Sequence, residues 1–264
     1  MKKYFVIGNP IKHSLSPLLH NHWIRKNNII AEYEKKELDI GNLENFVNQI
    51  KNKNFNGINV TVPFKKDIIP FLDKLSLEAE STQSVNTIYL DKNKVIGHNT
   101  DICGFELAIS NLNYKADGKK IFILGAGGVV PSIIYALKKM KVSKIILSNR
   151  TKSKAENLKN LFKNLEILDW GEMPDFDMVI NATSLGLNIE DRLNLDFSKI
   201  NSDKFFYDVI YNPKETSFLK TAKKLGNRTE NGQKMFIYQA AESFRIWHGI
   251  HPEINDEIFN LLNQ

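Results

Sequence analysis

With 264 residues, of which 42% are hydrophobic and 25% charged, the chain has the composition of a folded protein and not of a disordered one. The length lies near the point where a single core stops growing, so there is room for two domains of ordinary size. The net charge of +6 suits an anionic ligand, but the lysines are scattered, with no arginine-rich arm or interleaved aromatics, so a nucleic-acid partner is not expected.

The opening "MKKYFVIGNP" has too short an apolar stretch for a signal peptide, and no run of about 18 apolar residues follows, so no membrane partner and a cytoplasmic location are expected. Short apolar runs then alternate with amphipathic ones, the pattern of βα units and a mostly parallel sheet. Strands are expected at 4–8, 31–38, 57–62 and 86–90, the last pairing as a hairpin with 94–98 across the polar turn "DKNK". Helical spacing covers 16–27, 41–53 and 65–82, with Leu15, Leu19 and Trp23 on one core-facing side. The single cysteine, Cys103, excludes an internal disulfide and a cysteine cage for a metal; it reads as a small buried hydrophobe in a reducing compartment, and no metal site is expected. After residue 100 the runs at 119–125, 144–149, 176–182 and 204–210 are continuously apolar, as in a parallel sheet covered on both faces. Helices are expected at 129–140 and 152–163, and two more near 232–247 and 253–262.

"KKIFILGAGGVVPSIIYALKKM" is a strand, a glycine turn and an amphipathic helix, the order a dinucleotide site needs. Gly125 allows the sharp turn, Gly127 lets backbone amides approach a pyrophosphate, and the helix start carries about half a positive charge. Val130 stands where that fingerprint has a third small residue, and Pro131 is tolerated in the first helical turn. At the end of the next strand an NAD site would place a carboxylate for the ribose. Here "NRTKSKA" gives Asn149, Arg150 and Thr151, with Lys154 one turn on and no carboxylate, which favours NADP(H) because an arginine fork matches a phosphate.

Three polar clusters in the first hundred residues exceed what turns require. "GNPIKHSLSPLLHN" sets Ser14 and Ser16 before a helix, where one serine could simply cap it, with Pro17 at the first helical position. "INVTVPFKKD" sets Asn59, Thr61 and Lys65 at the carboxyl end of a strand, where open α/β sheets bind ligands. "SVNTIYL" and "GHNTDICGF" add Asn86, Thr100 and Asp101, the last at a helix start where a carboxylate could also be a cap.

Together "GNPIKHSLSP", "NVTVPFK", "VNT", "NTDICGF", "GAGG", "NRT", "NATSLG", "DVIYNPKET" and "GQKMFIYQAAESF" stand in the order found in the shikimate dehydrogenase family of the aromatic amino acid pathway, which the chain resembles nearly end to end. The resemblance implies a catalytic pair, Lys65 and Asp101, at the substrate hydroxyl, while Lys66 keeps a solvated role. It implies contacts from Ser14, Ser16 and Thr61 to the substrate carboxylate, with Tyr211 as a helper, and from Asn59, Asn86, Thr100 and Gln239 to the rest of a small-molecule substrate. On the cofactor side it implies Gly125, Ala126, Gly127, Gly128, Asn149, Arg150, Thr151 and Lys154, with Asn181, Thr183 and Gly232 at the nicotinamide end. Gln83 and Ser84 depart from the glycine and alanine usual before the asparagine turn.

The implied architecture is α/β with two domains and a cleft: an α/β substrate domain over 1–100, a Rossmann-type NADP-binding domain over 101–231, and helices over 232–264 that return to the first domain. The implied reaction is NADPH-dependent reduction of 3-dehydroshikimate to shikimate, with the proton carried by either Lys65 or Asp101. The alternatives are a quinate/shikimate dehydrogenase of broader use, a nucleotide-binding regulator that would not need Lys65 with Asp101, and an RNA-binding module. A monomer or homodimer is expected.

Overall fold

The computed structural model describes residues 1–188 and 190–263. Two compact units divide it: one is Met1–Gly104 with Ile237–Gln264, the other Phe105–Phe236. The division falls after 104 and 236, inside two helices, rather than at 100 and 231. Phe105 packs edge-on against Tyr207, and Phe236 stacks on Tyr211, which gives both residues to the second unit.

In the first unit the chain runs β1 (Lys2–Gly8), α1 (Ser16–Lys26), β2 (Ala31–Glu37), α2 (Leu43–Lys51), β3 (Gly57–Val60), β4 (Lys74–Leu75), α3 (Leu77–Thr82), β5 (Thr87–Asp91), β6 (Lys94–His98) and the first turn of α4 (Asp101–Asn111). The sheet order is β2-β1-β3-β5-β6-β4. β1, β2 and β3 are parallel, β5 is antiparallel to β3, and β5 and β6 form the expected hairpin. The carboxyl ends of β1, β3 and β6 and the start of β5 therefore share one edge. Thr61, Lys65, Asn86, Asn99 and Thr100 lie in the connections at that edge, and Asp101 opens the helix that follows.

Residues 65–82, expected as one helix, are instead a run of turns, a short 3-10 segment at Ile69–Phe71, β4 and α3. Pro70 lacks the N–H that a continuous helix would use, and Ser76 Oγ accepts the Ala79 N–H at 3.2 Å, starting a new helix. Phe64 and Ile68 still reach the core formed by Ile7, Val47, Ile50, Ile58, Val60, Val85 and Ile88. Each such side chain, fully buried, contributes about 1.5–3 kcal/mol.

The second unit comprises the rest of α4, then β7 (Lys120–Leu124), α5 (Val130–Lys139), β8 (Lys144–Ser148), α6 (Lys152–Leu161), β9 (Leu165–Leu168), β10 (Met178–Asn181), β11 (Phe205–Asp208), α7 (Ser217–Lys224) and β12 (Arg228–Glu230). Its order β12-β11-β10-β7-β8-β9 is parallel throughout. The order reverses between β7 and β10, the switch point at which dinucleotides bind in doubly wound sheets. α8 (Gln233–His248) begins in this unit, and the rest of it, with α9 (Asp256–Leu261), belongs to the first. There Trp247 Nε1 donates to Ile88 O at 3.1 Å and Trp23 Nε1 to Glu253 O at 3.0 Å. Among the described residues no helix is long and apolar enough to cross a membrane.

Candidate active site

Lys65 leaves the turn after β3 and is only 8% exposed, and Asp101, the first residue of α4, is 5% exposed. Lys65 Nζ donates to Asp101 Oδ2 at 2.5 Å. A buried ammonium is costly unless paired, and Asp101 is its one hydrogen-bond partner among the described residues, so two of its three N–H donors remain for a ligand. Asp101 is not a helix cap. Asn99 Oδ1 accepts the Asp101 N–H at 3.1 Å, which leaves the carboxylate to side chains. Lys66, next in sequence, is exposed.

The other Asp101 oxygen, Oδ1, accepts from Asn86 Nδ2 at 3.0 Å, and the same amide nitrogen lies 3.3 Å from Gln239 Oε1 on α8. An ionised carboxylate only accepts, so Asp101 fixes which way the Asn86 amide faces. Asn86 Oδ1 then accepts from the Thr100 N–H at 2.8 Å and sits 3.0 Å from Thr87 Oγ1. Lys65, Asp101, Asn86 and Gln239 thus form one connected set inside the first unit.

Asn59 and Thr100 stand behind this set. Asn59 accepts from Tyr33 Oη at 2.7 Å and spends its amide hydrogens on Asn86 O, Thr87 Oγ1 and Ser243 Oγ, at 3.0 to 3.1 Å. Its amide hydrogens brace the site, and a lone pair on Oδ1 is left to accept from a ligand hydroxyl. Thr100 is wholly buried with its hydroxyl 2.9 Å from Asn86 Nδ2, so it supports Asn86 and does not face a ligand.

Ser14 and Ser16 follow β1, and Thr61 follows β3 on the neighbouring strand, where Thr61 N donates to Ile7 O at 2.9 Å and Asn9 N to Val62 O at 3.0 Å. Neither serine caps α1; Leu15 is the N-cap, Pro17 falls second in the helix, and Ser14 Oγ accepts the Ser16 N–H at 3.3 Å. The Ser16 and Thr61 hydroxyls make no hydrogen bond among the described residues. Cys103 is half-buried, because Ile102 and Phe105 take the core face of α4.

In the second unit Gly125 has φ +108°, and a Cβ there would lie 2.8 Å from Ala182 O, so glycine is required. Gly127 has open space: the nearest atom to a Cβ would be Ala182 O at 3.9 Å. Gly127 and Gly128 are exposed, and α5 begins with no side-chain cap and no acidic residue in its first turn, so no negative side chain opposes an anion at the helix start, although the Val130, Ser132 and Ile133 N–H groups already donate to Gly127 O and Val129 O. Pro131 is the second residue of α5, as expected, and Val130 is buried. The Ala126 N–H donates to Asn149 Oδ1 at 3.1 Å, and Asn149 Nδ2 donates to Thr151 O at 2.7 Å, tying the glycine turn to the basic loop. Arg150, Thr151 and Lys154 are exposed, and neither Arg150 nor Lys154 is in an ion pair among the described residues. Lys152 is different, paired with Asp169 at 2.7 Å. The open glycine turn, the bare helix start and the two unpaired cations suit a phosphorylated dinucleotide.

Asn181 is wholly buried. It donates to Leu185 O and Asp208 Oδ1, both at 3.1 Å, and accepts from Thr183 Oγ1 at 2.7 Å, so it shapes the loop that carries Thr183 and does not itself face a ligand. Gly232 is needed for close packing, since a Cβ would meet Val209 O at 2.1 Å. Tyr211 stacks on Phe236 with centroids 4.4 Å apart. Sequence reading did not single out Asp208, whose carboxylate accepts from Thr216 Oγ1 at 2.6 Å and the Ile210 N–H at 3.0 Å, or Tyr33, Thr87, Asn99 and Ser243. Thr87, Asn99, Asp208 and Ser243 do fall inside the family motifs "VNT", "NTDICGF", "DVIYNPKET" and "GQKMFIYQAAESF", whereas Tyr33 lies outside all of them.

Comparison with known proteins places the chain in a family. Residues 6–88 match the family model for the shikimate dehydrogenase substrate binding domain, residues 106–216 that for shikimate / quinate 5-dehydrogenase, and residues 232–255 that for the shikimate 5'-dehydrogenase C-terminal domain. The shikimate dehydrogenase (NADP(+)) of Pelagibacter ubique (strain HTCC1062) is 60% identical over 264 residues, 100% of each chain. The crystal structure of shikimate dehydrogenase from Aquifex aeolicus has a TM-score of 0.92 at 37% identity, covering 100% of this chain and 98% of that one. Shikimate 5-dehydrogenase from Thermus thermophilus, in complex with NADP(H) and shikimate, has a TM-score of 0.90 at 27% identity, covering 100% and 99%. Matched along almost its whole length, from the loops around Lys65 to the helix that carries Gln239, the chain belongs to the shikimate dehydrogenase family.

Proposed function

We propose that the chain is an NADP-dependent shikimate dehydrogenase, which reversibly reduces 3-dehydroshikimate to shikimate on the way to chorismate and the aromatic amino acids. The observation that carries the reading is the buried Lys65–Asp101 pair, with two Lys65 donors unfilled among the described residues and Asn86 and Gln239 held beside it. A regulator that only bound nucleotide would have no use for this pair.

NADPH, when bound, supplies the hydride; Gly125 to Gly128, Asn149, Arg150, Thr151 and Lys154 hold it, with Thr183 at the nicotinamide end. As a ketone is reduced, negative charge grows on its oxygen, and a donor placed there lowers the barrier. Lys65 Nζ fills that role and passes a proton to the oxygen; in the reverse direction Nζ takes the hydroxyl proton. Asp101 orients the ammonium and keeps the Asn86 amide turned toward Gln239. Both its oxygens are engaged by these neighbours, which favours Lys65 over Asp101 as the proton carrier. Ser16 and Thr61, with Ser14, receive the substrate carboxylate, and Asn86 and Gln239 its ring hydroxyls. A cytoplasmic setting goes with this reading, supported by the single cysteine.

The test is steady-state oxidation of shikimate with NADP+, followed by NADPH absorbance, with quinate in parallel. Absence of NADPH formation from shikimate would sink the proposal. Equal turnover of quinate would move the chain to the broader quinate/shikimate reading.

A further inference from the structure

We propose that Ser243 is a positioning residue for the substrate end of the site: its hydroxyl joins α8 to Asn59, Thr87 and Thr100, and through them holds the Asn86 amide against Asp101 and Gln239. The inference rests on the proposed function and adds a residue that touches neither substrate nor cofactor.

Ser243 is wholly buried. Its Oγ donates to Gln239 O at 3.1 Å, one helical turn back, so its single proton is committed and its two lone pairs must accept. Three donors compete for them: Thr87 Oγ1 at 2.8 Å, Asn59 Nδ2 at 3.1 Å and Thr100 Oγ1 at 3.2 Å. Thr87 and Thr100 are also the hydroxyls that meet Asn86 Oδ1. Ser243 therefore decides how many hydroxyl protons are left for Asn86, and it does so from the helix that presents Gln239. Loss of the hydroxyl is tolerable to the fold. Asn59 keeps Asn86 O and Thr87 Oγ1 as acceptors, so no buried amide hydrogen is orphaned.

The experiment compares wild type, Ser243→Ala and Thr87→Val in shikimate oxidation, with thermal denaturation alongside. In Ser243→Ala, kcat/KM for shikimate is expected to fall about tenfold, the equivalent of one buried hydrogen bond, while KM for NADP+ stays at the wild-type value. Thr87→Val leaves Asn59 the Ser243 hydroxyl and Asn86 O as acceptors and is expected to lower kcat/KM for shikimate in the same way, with KM for NADP+ unchanged, so it carries the test should Ser243→Ala not fold. Wild-type kinetics in Ser243→Ala, or a loss that falls equally on shikimate and NADP+, would overturn the inference while leaving the proposed function standing. A wild-type protein that does not turn over shikimate would overturn both.

Discussion

Lys65 and Asp101, 36 positions apart in sequence, meet at 2.5 Å with both side chains withdrawn from solvent, and the adjacent Lys66 is exposed. Two consecutive lysines thus have opposite environments, because the turn after β3 sends one side chain toward the start of α4 and the other outward. If Lys65 is a positioned acid and base, Lys65→Ala lowers kcat by on the order of 100-fold or more. NADPH binding, read by fluorescence titration, stays at the wild-type level, and Lys66→Ala keeps near-normal turnover. Similar losses in both variants, or none in either, would remove Lys65 from the mechanism.

Arg150 offers a second sign-dependent test. It is exposed, without an ion pair among the described residues, and two positions before the start of α6, whose first turn carries no acidic residue. A hydrogen bond to a charged group is worth about 1.5–3 kcal/mol, so replacing the guanidinium with a carboxylate should weaken NADPH binding by at least about tenfold. Because the same carboxylate can accept from ribose hydroxyls, NADH should lose less or gain. An Arg150→Asp variant with unchanged NADPH affinity would show that the phosphate is held elsewhere.

Much of this was legible in the sequence because strong local signals and tertiary structure agree. The continuous apolar runs that became β7, β8, β10 and β11 are buried on both faces, and the glycine turn needs Gly125 for a backbone that other residues rarely adopt. Short edge strands were missed: β4, β9 and β12 have two to four residues, too few to show a period. The segment 65–82 misled because Phe64, Ile68, Phe71 and Leu75 recur at helix-like intervals while packing from turns, a 3-10 segment and β4. The bracing set of Tyr33, Thr87, Asn99 and Ser243 had no signature of its role, although all but Tyr33 fall inside family motifs. A serine in a helix or a threonine in a strand reads the same whether or not a distant asparagine meets it.

Gln83 shows a departure from the family pattern with a physical cost. It closes α3 at φ +47° and ψ +42°, a left-handed conformation that costs a residue with a Cβ roughly 1–2 kcal/mol. Glycine relieves that strain but adds about 0.4–1 kcal/mol of chain entropy to the unfolded state. The difference favours Gln83→Gly by roughly 0.5–1 kcal/mol, a rise in Tm of a few degrees at this size. Gln83→Val, branched at Cβ, should lower it. A calorimetric scan that ranks valine above glycine would mean the loop adopts another conformation in solution.

Acid sensitivity is the last expectation, and it is set by His20. The ring is 1% exposed, stacked on Tyr33 at 4.2 Å and nearly parallel, edge-on to Trp23, and neither nitrogen has a hydrogen-bond partner among the described residues. Burial pushes its pKa down to about 3, and the positive charge of His248 adds to the shift. The folded value lies below the unfolded one near 6.5, so the unfolded chain takes up the proton first. The stability tied to neutral His20 is therefore complete above about pH 6.5 and is lost as the pH falls toward 3. Asp208 works in the opposite sense, since burial raises its carboxyl to about 6 and its contribution declines as the pH rises through that value. The two partly cancel in the wild-type curve, so the informative quantity is the difference between wild type and His20→Phe in urea unfolding. Removing the titrating ring should shift that difference in favour of the variant by roughly 2 kcal/mol between pH 7 and pH 5. A difference that stays constant across this range would mean that the His20 ring is hydrated, and protonates freely, in the folded protein.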